Sequence, residues 1–198
     1  MNYNYNEIKN KVENIVKEAC YSEKNKFTHT AWPFHIVPVV EHSMNLGKKL
    51  GADLEVLELA AYLHDYSGIL DFSLYSDHHL HSAKLAEDIL SKFGYPKNKI
   101  EEIKHCIVSH RGSVEIKRET IEAKILASAD AMSHITELAD MFYLTFGVHK
   151  YRTGEGVEWL KNKLDKSWNK IMPEGKDIVK DYYDNALEVL NKALKRIN

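Results

Sequence analysis

Apolar residues recur at helical spacing along almost the whole chain, and no run alternates apolar with polar residues long enough to build a useful strand. That period restricts the chain to an all-α fold. Ile8, Val12, Ile15, Val16 and Ala19 make one stripe, which predicts an amphipathic helix over 5–21. Residues 22–33 are polar and end in Trp32-Pro33, a loop. His35, Val39, Leu46 and Leu50 line the next helix. Pro38 is tolerated only near a first turn, so that helix starts close to Phe34, and Gly51 suits the left-handed residue that ends it. Asp53 can cap a helix that runs to His64. Gly68, Asp71, Ser73, Ser76 and Asp77 mark 66–77 as a loop. Helices follow over 78–93 and 97–110, parted by Gly94-Tyr95-Pro96. A short loop at 111–117 leads to a long helix or a broken pair over 118–146. Two further helices cover 157–171 and 174–196.

The 198 residues suit one globular domain, and a hydrophobic share of 44% is ordinary for one. The net charge of −2 argues against nucleic acid as the main partner. Cys20 and Cys106 are too few for a disulfide framework and have no metal-knuckle spacing, which points to reduced thiols and a cytoplasmic protein. No window approaches the ~20 apolar residues of a membrane span, and the first residues carry no signal-peptide pattern.

The chemistry concentrates at His64-Asp65, which closes the apolar run Leu57-Glu-Leu-Ala-Ala-Tyr-Leu63. A helix C-terminus is electrostatically poor ground for a carboxylate, and a buried one needs a partner. A divalent cation would remove both penalties. His35 upstream and His110 and Asp130 downstream are further residues of metal-ligand type. Asp130 lies among small apolar residues, where a carboxylate is expected to be a cap, half of a pair, or a ligand. His110 shares a helical face with Ile103 and Ile107, so it points inward.

The order His, His-Asp, Asp resembles the HD superfamily of metal-dependent phosphohydrolases. Leu59-Ala-Ala-Tyr-Leu-His-Asp65 is similar to that family's central helix ending. His78-His-Leu-His-Ser-Ala83 is similar to its auxiliary histidine element, Ile107-Val-Ser-His110 to the element of its second auxiliary histidine, and Ala127-Ser-Ala-Asp130 to the segment with its last aspartate. The resemblance implies a single helical HD bundle. Residues 1–27 would pack a helix and loop on the core, 28–146 would form the metal-binding core, and 147–198 would add C-terminal helices to the same unit.

The resemblance further implies that His35, His64, Asp65 and Asp130 hold a divalent transition metal such as Mn, Fe, Co, Ni or Zn. His78 best fits the first auxiliary position, ahead of His79 and His81. If both His78 and His110 ligate, Asp65 bridges two ions; if not, there is one. Asp65 and His110 are the candidate catalytic residues. Arg111 is the candidate contact for a substrate phosphate, while Lys117 and Arg118 read as a solvated loop. The implied partner is a small phosphorylated molecule, a nucleotide or phosphomonoester, attacked by metal-activated water. A homodimer stays open. The segment Tyr66-Ser67-Gly68-Ile69 carries neither the lysine nor the glutamate found after the aspartate in several branches of that family. This counts against a diiron oxygenase, which stays as the alternative beside a non-catalytic module that binds metal and a phosphorylated ligand.

Overall fold

The computed structural model describes residues 3–112 and 116–196, and no strand occurs among them. The helices are α1 (Tyr5–Cys20), α2 (Val37–Leu50), α3 (Leu54–Leu63), α4 (Tyr66–Leu70), α5 (His78–Lys92), α6 (Lys97–Ser109), α7 (Ile121–Thr136), α8 (Leu138–Phe142), α9 (Thr153–Lys170) and α10 (Pro173–Leu194). A wide turn, Trp32–Ile36, leads into α2, and another, Tyr143–Val148, follows α8.

Helix α7 is the central pillar. Every residue from Ile125 to Ile135 is buried, so the helix is covered all round. The segment Leu126-Ala-Ser-Ala-Asp-Ala-Met132 explains how: small side chains let several neighbours approach at once. α2, α3 and α6 pack on one side and α9 and α10 on the other. Gly175 admits the start of α10, since a Cβ there would stand 2.8 Å from the Met132 sulfur. α1 closes over α3 and α4, and α5 pairs with α6.

Residues 66–77 depart from the expected loop. They form α4 and a tight turn, Phe72–Asp77. Tyr66, Ser67, Gly68 and Ile69 are buried, and the Ser67 hydroxyl donates to the His78 carbonyl at 3.1 Å. Phe72 and Tyr75 stack at 5.4 Å and both meet Phe27. The packing of these half-buried rings, with the burial of Tyr66–Ile69, outweighs a turn-forming local composition. The 118–146 region is a broken pair, with the break at Glu137 (φ −101°, ψ 54°). α9 begins earlier than expected, at Thr153. No helix among the described residues is long and apolar enough to cross a membrane.

Candidate metal centre

Helix ends build the site. His64 follows the last turn of α3, His110 follows α6, His78 opens α5, and His35 sits in the turn before α2. Asp65 stands between α3 and α4. Its carbonyl accepts from the Ile69 amide at 3.2 Å, so its backbone starts α4 as it leaves α3. Asp65 thus lies at the junction of the end of α3 and the start of the five-residue α4, and its side chain caps no α4 amide.

The side chains gather in two groups of three around the Asp65 carboxylate. His35 Nε2 lies 3.1 Å from His64 Nε2 and 3.2 Å from Asp65 Oδ2. On the other side, His78 Nε2 and His110 Nε2 lie 3.1 and 3.4 Å from Asp65 Oδ1, and 3.3 Å from each other. Asp130 Oδ1 approaches the first group, 3.8 Å from His35 Nε2 and 4.0 Å from His64 Nε2. A further group joins His35, Asp130 and His134. His79 is buried beside His78 but enters none of these groups, and His81 is exposed.

The tautomers follow from the second ring nitrogens. The Nδ1 atoms of His64, His78 and His110 meet the carbonyls of Ala61, Tyr75 and Ile107 at 2.8, 2.8 and 2.6 Å. A carbonyl can only accept, so each Nδ1 carries a proton. His35 Nδ1 lies 3.2 Å from the Ser133 hydroxyl, whose single proton already goes to the Asp130 carbonyl at 2.8 Å. That Nδ1 therefore donates too. In the neutral rings all four Nε2 lone pairs then face one another and the carboxylate. Asp65 Oδ1 is buried without a hydrogen bond. Unshared electron pairs packed at about 3 Å repel one another, and cations between them turn that repulsion into coordination. The donor set fits divalent transition metals.

The HD domain profile matches residues 34–135, half of the chain. The chain belongs to the HD-domain family. An uncharacterized protein of Clostridium beijerinckii is 28% identical over 116 residues, 58% of this chain and 71% of that one. Bacillus subtilis YpgQ has a similar fold, with a TM-score of 0.73 at 18% identity over 98% of this chain and 97% of that chain. Its complex with ADP gives a TM-score of 0.69 at 21% identity, covering 96% and 97%. A predicted HD superfamily hydrolase from an uncultured Thermotogales bacterium gives 0.61 at 20% identity, covering 96% and 92%. HD domains form a family of metal-dependent hydrolases, and the His/Asp groups of this one could hold divalent ions.

Beside the HD centre opens a cleft of about 640 Å³, lined by Asp65, His78 and His110 and by Arg111, Arg118, Lys163, Lys166 and Lys170. Arg111 also donates to the Ser76 carbonyl. Arg118, expected on a solvated loop, instead lines the cleft and donates to the Ser109 carbonyl at 3.0 Å. Lys117 is exposed and pairs with Glu119. A second, smaller pocket lies behind Asp65, walled by Phe27, Ile69, Tyr75, Met141 and Leu144, with Asp140 beside them.

Burial pushes the His64 pKa down to about 4, which keeps the ring neutral. Burial opposes ionisation of Asp65, whereas positive charge among the histidine rings around it draws its carboxyl well below the usual range. Burial likewise opposes ionisation of Asp130, and the Lys170 ammonium, bonded to Asp130 Oδ2, overrides it. Burial holds His134 well below its ordinary value.

Sequence reading missed His134, Lys163, Lys166 and Lys170. His134 follows Asp130 by one helical turn, and its Nε2 lies 3.5 Å from Asp130 Oδ1. Its ring lies parallel to that of His35 at 5.8 Å. The three lysines share one face of α9, a cationic stripe whose spacing was visible in the chain.

Proposed function

We propose that this chain is a phosphohydrolase that cleaves a small phosphorylated molecule, a nucleotide or phosphomonoester, with two divalent ions on its paired histidine groups. His35, His64, Asp65 and Asp130 would hold the first ion. Asp65, His78 and His110 would hold the second. The observation that carries the reading is the cationic cleft set directly against these groups. An oxygenase has no need of several lysine and arginine side chains around its metals, whereas a phosphate does.

When bound, such ions acidify a water and polarise a phosphoryl oxygen. The chain's own residues orient the reaction. Asp65 fixes the separation of the two half-sites. Arg111 has the planar fork that binds two phosphate oxygens together. His110 ties the end of α6 to the cleft, and Lys170 holds both its carbonyl, at 3.3 Å, and Asp130. These donors are in place before charge develops on the phosphate. That a chain of the same fold has been solved with ADP makes nucleotides the first compounds to test.

The test is metal analysis of protein purified without chelator, followed by a panel of nucleotides and phosphomonoesters assayed with Mn²⁺, Co²⁺, Ni²⁺ and Zn²⁺. Release of phosphate or pyrophosphate that stops with EDTA and with Asp65→Ala supports the reading. Ion-loaded protein that cleaves nothing in the panel overturns it.

A further inference from the structure

The cleft and the smaller pocket meet at Asp65, Tyr75, His134 and Lys163, which line both. The cleft is cationic and suits a phosphate, while the pocket has apolar and aromatic walls and suits the organic part of a substrate. A phosphate ester lying across the two would place its bridging oxygen at their junction. Lys163 is the one cation among the described residues that reaches that junction. Its ammonium makes no hydrogen bond or ion pair among those identified in the described residues, unlike Lys170, which holds Asp130 and the His110 carbonyl.

We propose that Lys163 is a catalytic residue, the general acid that hands a proton to the leaving-group oxygen. The inference rests on the phosphohydrolase reading above. In the step, the oxygen of the attacking water forms the new P–O bond and its proton leaves to solvent. The P–O bond to the organic group breaks, and its electron pair stays on the departing oxygen. That oxygen takes a proton from Lys163 Nζ, and the neutral amine is reprotonated from water in the open cleft.

The groups that face Lys163 exclude the other donors. Asp65 and Asp130 would be committed as carboxylate ligands to the proposed ions and have no proton to give. His134 is buried and already faces Asp130 Oδ1 at 3.5 Å and the Ser167 hydroxyl at 3.0 Å. Burial pushes the Tyr75 phenol up to about 12, so it grips its proton tightly. Burial lowers the Lys163 ammonium; the Asp130 and Asp65 carboxylates oppose this and Lys170 and Arg111 add to it, with a net fall toward the range of a working acid.

The test compares Lys163→Met and Lys163→Arg with the unaltered protein on 4-nitrophenyl, phenyl and ethyl phosphate. Ion content and melting temperature are measured on all three proteins. A general acid contributes about 10²–10⁴-fold. The expected result is a loss of at least about 10²-fold on ethyl phosphate for both variants, with ion content unchanged. On 4-nitrophenyl phosphate, whose leaving group needs no proton, the expected loss is under about 10-fold. Equal losses along the series, or recovery of ethyl phosphate cleavage by arginine, would show that Lys163 acts through charge alone and would overturn the inference. Failure of the unaltered protein to cleave any of the three esters would remove the inference too. If that protein still released phosphate from the nucleotides of the panel, the phosphohydrolase reading would survive; if it released none, that reading would fall as well.

Discussion

The half of the centre around His35 and His64 has a second carboxylate, Asp130, whose outer oxygen is gripped by Lys170. The half around His78 and His110 has Asp65 alone and borders the cleft. Ligand number separates their roles. A fuller set of protein donors holds an ion firmly, whereas a sparser set next to open space leaves positions for water and substrate. On the two-ion reading proposed above, the first half would be the retained site and the second the exchangeable, reacting one. His110 belongs to the reacting half, and His35 to the retained half.

The largest expected effect comes from removing what the halves share. Asp65→Ala takes a ligand from both ions, and phosphate release should fall by at least about 10³-fold, the rate equivalent of several kcal/mol. Circular dichroism should stay helical. Near-normal turnover with added Mn²⁺ would make Asp65 structural.

His110→Ala sharpens the comparison. If the two-ion reading holds, elemental analysis should find two ions per chain in the unaltered protein and one in the variant. Turnover should fall by about 10²-fold while the ion-free melting temperature moves by no more than about 2–4 °C. A large loss of stability with an unchanged rate per ion-loaded molecule would return His110 to the packed core and leave a one-metal centre.

Lys170→Met acts on the other half through Asp130 and touches the reacting half only through the His110 backbone carbonyl. Asp130 loses its ionic partner, and groups behind metal ligands are commonly worth about 10–100-fold in affinity. Titration calorimetry should show that loss for the tighter ion and little change for the weaker. The reverse pattern would break the assignment of firm and exchangeable halves.

The smallest effect concerns Asp140, at the pocket behind the centre. Burial, partly offset by His35, raises its pKa to about 6. An unfolded aspartate ionises near 3.9. The unfolded chain therefore gives up this proton first, and ion-free stability should decline as pH rises from about 4 to 6. Asp140→Asn removes the penalty. It should raise the ion-free melting temperature at pH 7.5 by about 2–4 °C, as ~1 kcal/mol does in a domain of this size, and change it little at pH 4. An equal shift at both values would mean that the carboxyl does not titrate in that window.

The apolar period made α1, α5 and α6 legible to within a few residues, and the cap at Asp53 with the apolar run to Leu63 did the same for α3. It was mute about 66–77, where Ser, Gly and Asp look like a loop and only the packing of Phe72 and Tyr75 against Phe27 makes the segment helical. His64, Asp65 and His110 could be singled out because each ends a patterned run, and His35, His78 and Asp130 by their place in the order of ligands that resembles the HD family. The choice of His78 over His79 and His81 needed coordinates, since neighbours on a helix differ by about 100° in direction. Arg118 was misread because a loop's charge looks the same whether it faces bulk water or a cleft.

By itself, then, the sequence determined an all-helical chain, the helix ends that carry histidine and aspartate, and the inward face of α6. Those properties are local: they depend on spacing along one segment and on the residue types at its ends. Only the tertiary structure decided that Asp65 turns one oxygen to each histidine pair, that Nδ1 protons leave every Nε2 facing the centre, and that α9 brings Lys163, Lys166 and Lys170 to the same cleft. These depend on distances between segments up to a hundred residues apart. No periodicity records such distances, because they are set by how the small side chains of α7 let its neighbours close around it.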